Sequence, residues 1–168
     1  MPSTTTKSEH KTPSQLAAHT AKWAVTMAKV GIRQAIADNP WPHWHLLTFT
    51  GPAGREARGV VDLIAVRKDH GEPLPGTKRG DALQIILIQA KGGSAAMPTA
   101  EDAERLRIVA LHHGACYTLL AAWKKGKAAQ FFSLSWDSEG RSRWAPVKAK
   151  DLKSVFGRRK EVIKADLS

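Results

Sequence analysis

The sequence predicts one α/β domain in which a central mixed sheet of five strands is flanked by helices. An Ala-rich segment with apolar residues at helical spacing comes first. Three short apolar runs then follow one another, which is typical of a three-strand meander. A second helical segment separates these runs from two more, and this order indicates a crossover connection between strands.

Ser14 is predicted to cap the first helix, which ends at Asn39-Pro40 and has Leu16 and Trp23 among its apolar residues. The second is predicted between Thr99 and Gly114, and a short third over residues 150–156. The predicted strands cover residues 45–50, 60–66, 83–90, 115–123 and 128–135.

The length of 168 residues suffices for one core but is short for two. We expect a disordered tail over residues 1–13, a folded domain over 14–140, and a basic C-terminal extension over 141–168. The net charge of +11 favours a polyanionic partner, above all nucleic acid. Non-specific attraction for polyanions is the alternative, and charge alone does not separate the two.

The single cysteine, Cys116, lies in an apolar run and is expected to be a buried thiol in a reducing, cytoplasmic compartment. No stretch of the sequence is apolar enough to cross a membrane, so a membrane partner is not expected.

Two charged residues stand in or beside the most apolar strands. Asp62 interrupts VVDLIAV, and Lys91 ends ILIQAK. An ionisable group in a buried strand is costly unless it is paired or binds a metal. Gln89 lies two residues before Lys91, so both side chains should project from the same face of the strand.

These residue types suit phosphodiester hydrolysis assisted by Mg²⁺ or Mn²⁺, because hard cations prefer oxygen ligands. The ligands would be the Asp62 carboxylate, the Gln89 amide oxygen and the Ala90 carbonyl. Lys91 would orient or help deprotonate the attacking water and offset charge on phosphorus. Taken singly, Asp62 could cap a loop and Lys91 could mark the exit of a strand to solvent.

The pattern of Asp62 on one strand and Gln89-Ala90-Lys91 on the next resembles the PD-(D/E)XK nucleases. The glutamine in place of glutamate is similar to the motif variant found in the Mrr-type restriction enzymes. The resemblance implies a restriction-endonuclease-like fold and metal-dependent cleavage of DNA, in which Asp62, Gln89 and Lys91 are catalytic.

The flanking sequence is also similar to this superfamily. RGVVDL, from Arg58 to Leu63, resembles the RGxPDL signature of VRR-NUC domains, with Val61 in place of proline. The helix from Glu101 to His112 and the segments after it resemble Hjc-type Holliday-junction resolvases. The resemblance covers about residues 14–135 and implies a homodimeric, structure-specific endonuclease without a small-molecule cofactor.

The sequence departs from those families in its first helix, because no Asp or Glu occurs between Ser14 and Ala37. Glu56 is the best substitute for the missing acid and is included among the catalytic candidates. The missing acid and Gln89 leave open a catalytically weak or inactive DNA-binding or assembly module on the same fold. A basic RNA-binding protein is a third interpretation.

Basic residues near the predicted site and in the later turns are the candidates for nucleic-acid contact. They are Arg55, Arg58, Lys124, Lys125, Lys127, Arg141 and Arg143. Most of the tryptophans, among them Trp23, Trp44 and Trp123, are expected to serve in packing. Trp136 and Trp144 are the better candidates for contact with nucleic acid.

Overall fold

A computed structural model describes residues 12–38, 43–49 and 59–157. It contains a mixed six-stranded sheet and three helices, so the predicted α/β class is confirmed. The strands are β1 (His45–Thr48), β2 (Leu63–Lys68), β3 (Leu83–Gly92), β4 (Tyr117–Trp123), β5 (Gln130–Trp136) and β6 (Ser142–Val147). The helices are α1 (Pro13–Ile36), α2 (Ala100–His112) and α3 (Ala149–Phe156).

The strands lie in the sheet in the order in which they occur in the chain. All neighbouring pairs are antiparallel except β3 and β4, which are parallel and are connected through α2. The meander and the crossover were both predicted. The count of five strands was wrong, because β6 adds a sixth at the edge. This strand escaped prediction because it carries Arg143 and Pro146, and proline is tolerated only where a strand has a free edge.

The two faces of the sheet carry separate apolar clusters. The larger cluster joins α1 and α3 to the sheet through residues that include Ile32, Leu63, Ile88 and Phe156. The smaller cluster joins α2 to the other face through Val60, Leu87, Leu106 and Ala110. Side chains of β3 alternate between the clusters, which is why its sequence is apolar almost throughout.

The C-terminal end of α3 is held against the sheet by a buried arginine. Arg67 donates hydrogen bonds to the carbonyl oxygens of Phe156 (3.2 Å) and Gly157 (2.7 Å). Its guanidinium also lies 4.3 Å from the centre of the Trp44 ring. A cation at a helix C-terminus compensates the carbonyl groups that have no partner within the helix. Residues after 140, which the sequence analysis assigned to an extension, thus supply β6, α3 and part of the core.

Other details of the sequence analysis were wrong. The first helix is capped by Thr12 and not by Ser14, in a capping box whose second member is Gln15. Cys116 is exposed because it lies just before β4, where the apolar run has not yet entered the sheet. In the described part of the chain, no helix has the length and apolar character that crossing a membrane requires.

Candidate functional site

Asp62 lies at the point where β2 begins and its pairing with β3 ends. The ladder between the two strands closes with the pair Leu63 and Ile88. The Asp62 amide then donates a hydrogen bond to the Ile88 carbonyl oxygen (3.0 Å). The Asp62 Oδ2 atom accepts one from the Ala90 amide (2.7 Å). The carboxylate is therefore fixed beside Ile88, Gln89 and Ala90. Asp62 lies just before β2, whereas the strand predicted over residues 60–66 included it.

Gln89 and Lys91 lie two residues apart on β3, which is a continuous strand over Leu83–Gly92. Their side chains consequently share one face, whereas Ile88 lies in the cluster under α1. Gln89 is only 4% exposed, while Lys91 is half-buried at the end of the strand. The predicted amide and amine thus project to the same side of the sheet.

The amide oxygen of Gln89 is the most informative atom of the site. It is buried and has no hydrogen-bond partner among the residues that the structure describes. Such an acceptor costs about 1–3 kcal/mol when it is left unsatisfied in a folded protein. By contrast, the other buried glutamine, Gln84, accepts from Arg67 (2.6 Å) and donates to Asp69 (3.1 Å). An unpartnered oxygen beside a carboxylate is what a cation site requires of its ligands.

The electrostatics of Asp62 agree with this geometry. Burial raises the pKa of the Asp62 carboxyl, while the hydrogen bond from Ala90 and the positive charge of Lys91 act in the opposite direction. Lys91 is therefore close enough for its charge to act on this carboxylate. Burial has the larger effect, so the carboxylate is not fully compensated by the groups around it.

Ala90 completes the set of oxygen ligands. Within a strand, the N–H and C=O groups of one residue point toward the same neighbouring strand. The Ala90 amide points to Asp62, so its carbonyl oxygen also faces the side on which β2 no longer pairs. The residues present fit a hard cation: a carboxylate, a buried amide oxygen and a backbone carbonyl lie on two adjoining segments.

The end of β3 is fixed by close packing against α1. A Cβ atom on Gly92 would lie 2.9 Å from the Thr20 carbonyl oxygen and 3.0 Å from the Ala24 Cβ atom. Only glycine allows the helix to approach this closely. The position of Lys91, one residue earlier, is thereby tied to α1.

Some predicted site residues are not brought to this point. Glu56, Arg55 and Arg58 lie outside the described residues. Within the described ranges, no group of three or more His, Cys, Asp or Glu side chains could hold a metal ion. Asp62 therefore does not belong to a cluster of three or more such side chains in these parts of the chain.

The predicted basic residues lie at two places. Lys124, Lys125 and Lys127 form the turn from β4 to β5, directly after Trp123, and Lys125 and Lys127 are exposed. Arg143 is exposed on β6. Arg141 forms ion pairs with Asp137 and Glu139, both at 2.9 Å, which reduces the charge it offers to a phosphate.

The burial of the tryptophans differs in part from the burial predicted from the sequence. Trp44 is buried, as predicted, and its indole N–H donates to the Phe156 carbonyl oxygen (2.7 Å). Trp23 was expected in packing but is 44% exposed. Trp144 packs against the cluster under α2, and Trp136 is 37% exposed. Helical spacing alone could not separate a core tryptophan from a surface one, since both repeat at the same period.

No protein-family model, curated protein or solved structure matches this chain. The geometry of the site and the motif residues are therefore the features of this chain that bear on its function.

Proposed function

We propose that this chain is a metal-dependent DNA endonuclease of the PD-(D/E)XK type, with a restriction-endonuclease-like fold. The observation that carries the proposal is the hydrogen bond between Asp62 and Ala90, which fixes the carboxylate next to the backbone of Gln89, a residue whose buried amide oxygen has no partner among the described residues. A meander followed by a crossover helix and further strands supports the fold assignment.

The bound cation would be Mg²⁺ or Mn²⁺, held by Asp62, Gln89 and the Ala90 carbonyl. When bound, it would polarise the scissile phosphate and acidify a water molecule. Asp62 and Gln89 would hold this cation, because Asp62 is fixed by its hydrogen bond to Ala90 and Gln89 by the pairing of β3 with β4. Lys91 places a positive charge on the same face of β3 as Gln89, where it stabilises negative charge on phosphorus and orients the attacking water.

DNA is the proposed partner because the chain carries a net charge of +11 and exposes lysines in the turn after β4. One site per chain would cut one strand, so cleavage of both strands would require a homodimer. The proposed location is the cytoplasm, where Cys116 would stay reduced.

A catalytically inactive DNA-binding module is the second candidate. It is favoured by the absence of a cluster of three or more acidic, histidine or cysteine ligands among the described residues, and by the raised pKa of Asp62. Both features weaken the attraction for a divalent cation relative to a site with two ionised carboxylates. Binding of DNA without cleavage is the result that this candidate predicts.

Cleavage assays distinguish the nuclease from the inactive DNA-binding module. Wild-type protein, Asp62→Ala and Lys91→Ala are incubated with Mg²⁺ or Mn²⁺ and with plasmid, single-stranded, flap and four-way-junction DNA. We expect wild type to cut at least one substrate and both variants to lose this activity. Lys68→Ala is the matched control, because Lys68 is an exposed lysine at the opposite end of β2 from Asp62. Folded wild-type protein that leaves every substrate intact would refute the nuclease.

A further inference from the structure

An aromatic surface lies at the end of the sheet where Lys91 is found. Trp23, on α1, stacks on Trp123 at the end of β4, with ring centroids 6.3 Å apart and planes inclined by 23°. Trp23 is nevertheless 44% exposed, and Trp123 is only half-buried. Two indoles are thus placed side by side where solvent can reach them, although each would stabilise the core more if it were fully buried.

The two rings are held in place by neighbouring groups. The Trp23 indole N–H donates to the His19 Nε2 atom (3.1 Å), and the His19 ring packs edge-on at 6.2 Å. The backbone of Trp123 is fixed by a hydrogen bond from the Gly93 amide to its carbonyl oxygen (2.9 Å). A ligand that lies on these rings would lose little free energy in ordering them.

The sheet register places this surface at the same end of the sheet as the candidate site but on the opposite face. Trp123 shares the face of Gly92, toward α1, whereas Gln89 and Lys91 project toward the face of α2. In the parallel ladder, Lys91 pairs with Ala122 and Gly92 pairs with Trp123. Neighbouring strands are about 4.8 Å apart, so the backbones of Lys91 and Trp123 belong to adjoining positions at one end of the sheet. A polynucleotide bound at Lys91 would reach the tryptophans by passing over the end of β3 and β4.

The charge around the tryptophans complements a nucleic-acid backbone. Trp123 runs directly into the turn of Lys124, Lys125 and Lys127, and none of these three lysines forms an ion pair with a described residue. Exposed aromatic rings beside uncompensated cations are typical of sites for single-stranded nucleic acid, in which bases stack and phosphates meet lysines. In a duplex the base faces are covered by neighbouring pairs and offer nothing to a flat ring.

We infer that Trp23 and Trp123 bind an unpaired base of a DNA strand whose backbone follows the lysine turn toward the Asp62 site. The inference deepens the proposed function and rests on it for the direction of the strand. The substrate would then contain a single-stranded segment, as flaps, gaps and opened junctions do. Binding by the tryptophans itself requires neither a metal nor cleavage.

Wild-type protein offers a direct test. Fluorescence anisotropy at low salt and without divalent metal compares a labelled single-stranded 20-mer, the matching duplex and an abasic 20-mer with the same phosphates. Because base stacking on an aromatic ring contributes on the order of tenfold or more to affinity, we expect the normal strand to bind about tenfold more tightly than the abasic strand. Equal affinities would overturn the inference, and this outcome does not depend on any variant being folded.

Variants test whether the tryptophans are the residues that bind the single strand. Trp23→Ala should weaken binding of the single strand about tenfold and leave duplex binding within twofold, while Trp23→Phe should retain most of the affinity. Tyr117→Ala is the matched control, since Tyr117 is an equally exposed aromatic residue (47%) at the other end of β4. A folded Trp23→Ala protein that binds the single strand as well as wild type does would contradict the inference.

The proposed function can fail separately. If Asp62→Ala and wild type bind the single strand equally and neither cleaves any DNA, the nuclease is refuted and the stacking surface stands. If wild type cleaves DNA but binds abasic and normal strands equally, the stacking surface is refuted and the nuclease stands.

Discussion

The Asp62 carboxylate and the Ala90 amide are joined by a hydrogen bond of 2.7 Å across the point where β2 stops pairing with β3. The bond replaces the ladder contact that the next residue pair would have made. It brings an ionised side chain into an apolar part of the sheet, and burial raises its pKa. Without a bound cation, this burial of a charged carboxylate lowers the stability of the fold, and substitutions at Asp62 should reveal the loss.

Asp62→Asn should stabilise the metal-free protein at pH 7, by about 0.5–2 kcal/mol, the usual range for one stabilising change. The asparagine oxygen still accepts from Ala90 but carries no charge to bury. Because the pKa of Asp62 is higher in the folded state, wild type gains stability as the pH falls through that raised pKa toward its unfolded value. The advantage of the variant should therefore disappear below about pH 4, where Asp62 is protonated in both states. Urea titrations at several pH values measure the difference in free energy of unfolding between the variant and wild type.

Asp38→Asn is the control for this prediction. The pKa of Asp38 is lowered by its hydrogen bond and ion pair with Lys153, the opposite direction to Asp62. Its replacement should give no gain at pH 7. A gain of equal size in both variants would mean that general charge reduction, and not the burial of Asp62, is responsible.

Gln89→Leu should leave the metal-free protein as stable as wild type or more so, because it removes an acceptor that has no partner. Gln84→Leu should destabilise by about 1–3 kcal/mol, because it strips partners from Arg67 and Asp69. Both glutamines lie on β3 and are almost equally buried, which makes them a matched pair. If the two variants lose the same stability in chemical denaturation, the Gln89 oxygen has a partner in solution.

Gln89→Glu tests the same oxygen as a cation ligand. A second carboxylate beside Asp62 should lower the melting temperature of the metal-free protein, because like charges repel. With Mn²⁺ the variant should gain more stability than wild type, since ligand binding adds RT ln(1 + [L]/Kd). Thermal melts with and without Mn²⁺ provide the comparison, and an identical metal response in both proteins would contradict the assignment.

Arg67→Ala should destabilise the fold by about 3 kcal/mol, because it removes charged hydrogen bonds to two carbonyl oxygens and to Gln84. The loss should appear in urea unfolding monitored by tryptophan fluorescence. Arg105→Ala is the control, since Arg105 forms only an exposed ion pair with Asp102 (3.5 Å) and should change stability by less than about 1 kcal/mol.

Gly92→Ala should push α1 away from the end of β3 and cost about 1–3 kcal/mol, since its Cβ atom would meet the Thr20 carbonyl oxygen at 2.9 Å. Cleavage and single-strand binding should fall as well, because Lys91 precedes Gly92 on β3 and Trp23 lies between Thr20 and Ala24 on α1. Gly59→Ala serves as the control. Among the described residues, a Cβ atom there would meet nothing closer than 3.9 Å, and the stability of this variant should match wild type in the same melts.

The sequence predicted the order of the helices and of the first five strands because their apolar runs are long and separated by turn residues. It also predicted that Gln89 and Lys91 share a face, which follows from the two-residue repeat of a strand. The sixth strand could not be predicted in this way. Arg143, Trp144 and Pro146 alternate too weakly, and only its pairing with β5 makes the segment a strand.

Two features of the candidate site were outside the reach of pattern analysis. The start of β2 at Leu63 and not at Val60 depends on where the ladder with β3 ends, and apolar character does not define that point. The exposure of Trp23 depends on the angle at which α1 crosses the strand ends, which Gly92 permits. Both are properties of how elements meet in three dimensions.

The contact between Trp44 and Phe156 has a consequence for the order of folding. The Trp44 indole bonds to a carbonyl oxygen 112 residues further along the chain, and the two rings pack 5.4 Å apart. Synthesis begins at the amino terminus, so Trp44 and Arg67 leave the ribosome well before the helix that covers them. A nascent chain at this stage would expose the Trp44 indole and the Arg67 guanidinium, because the Phe156 carbonyl oxygen that accepts from both has not yet been synthesised. Aggregation or chaperone binding would compete with folding during this interval.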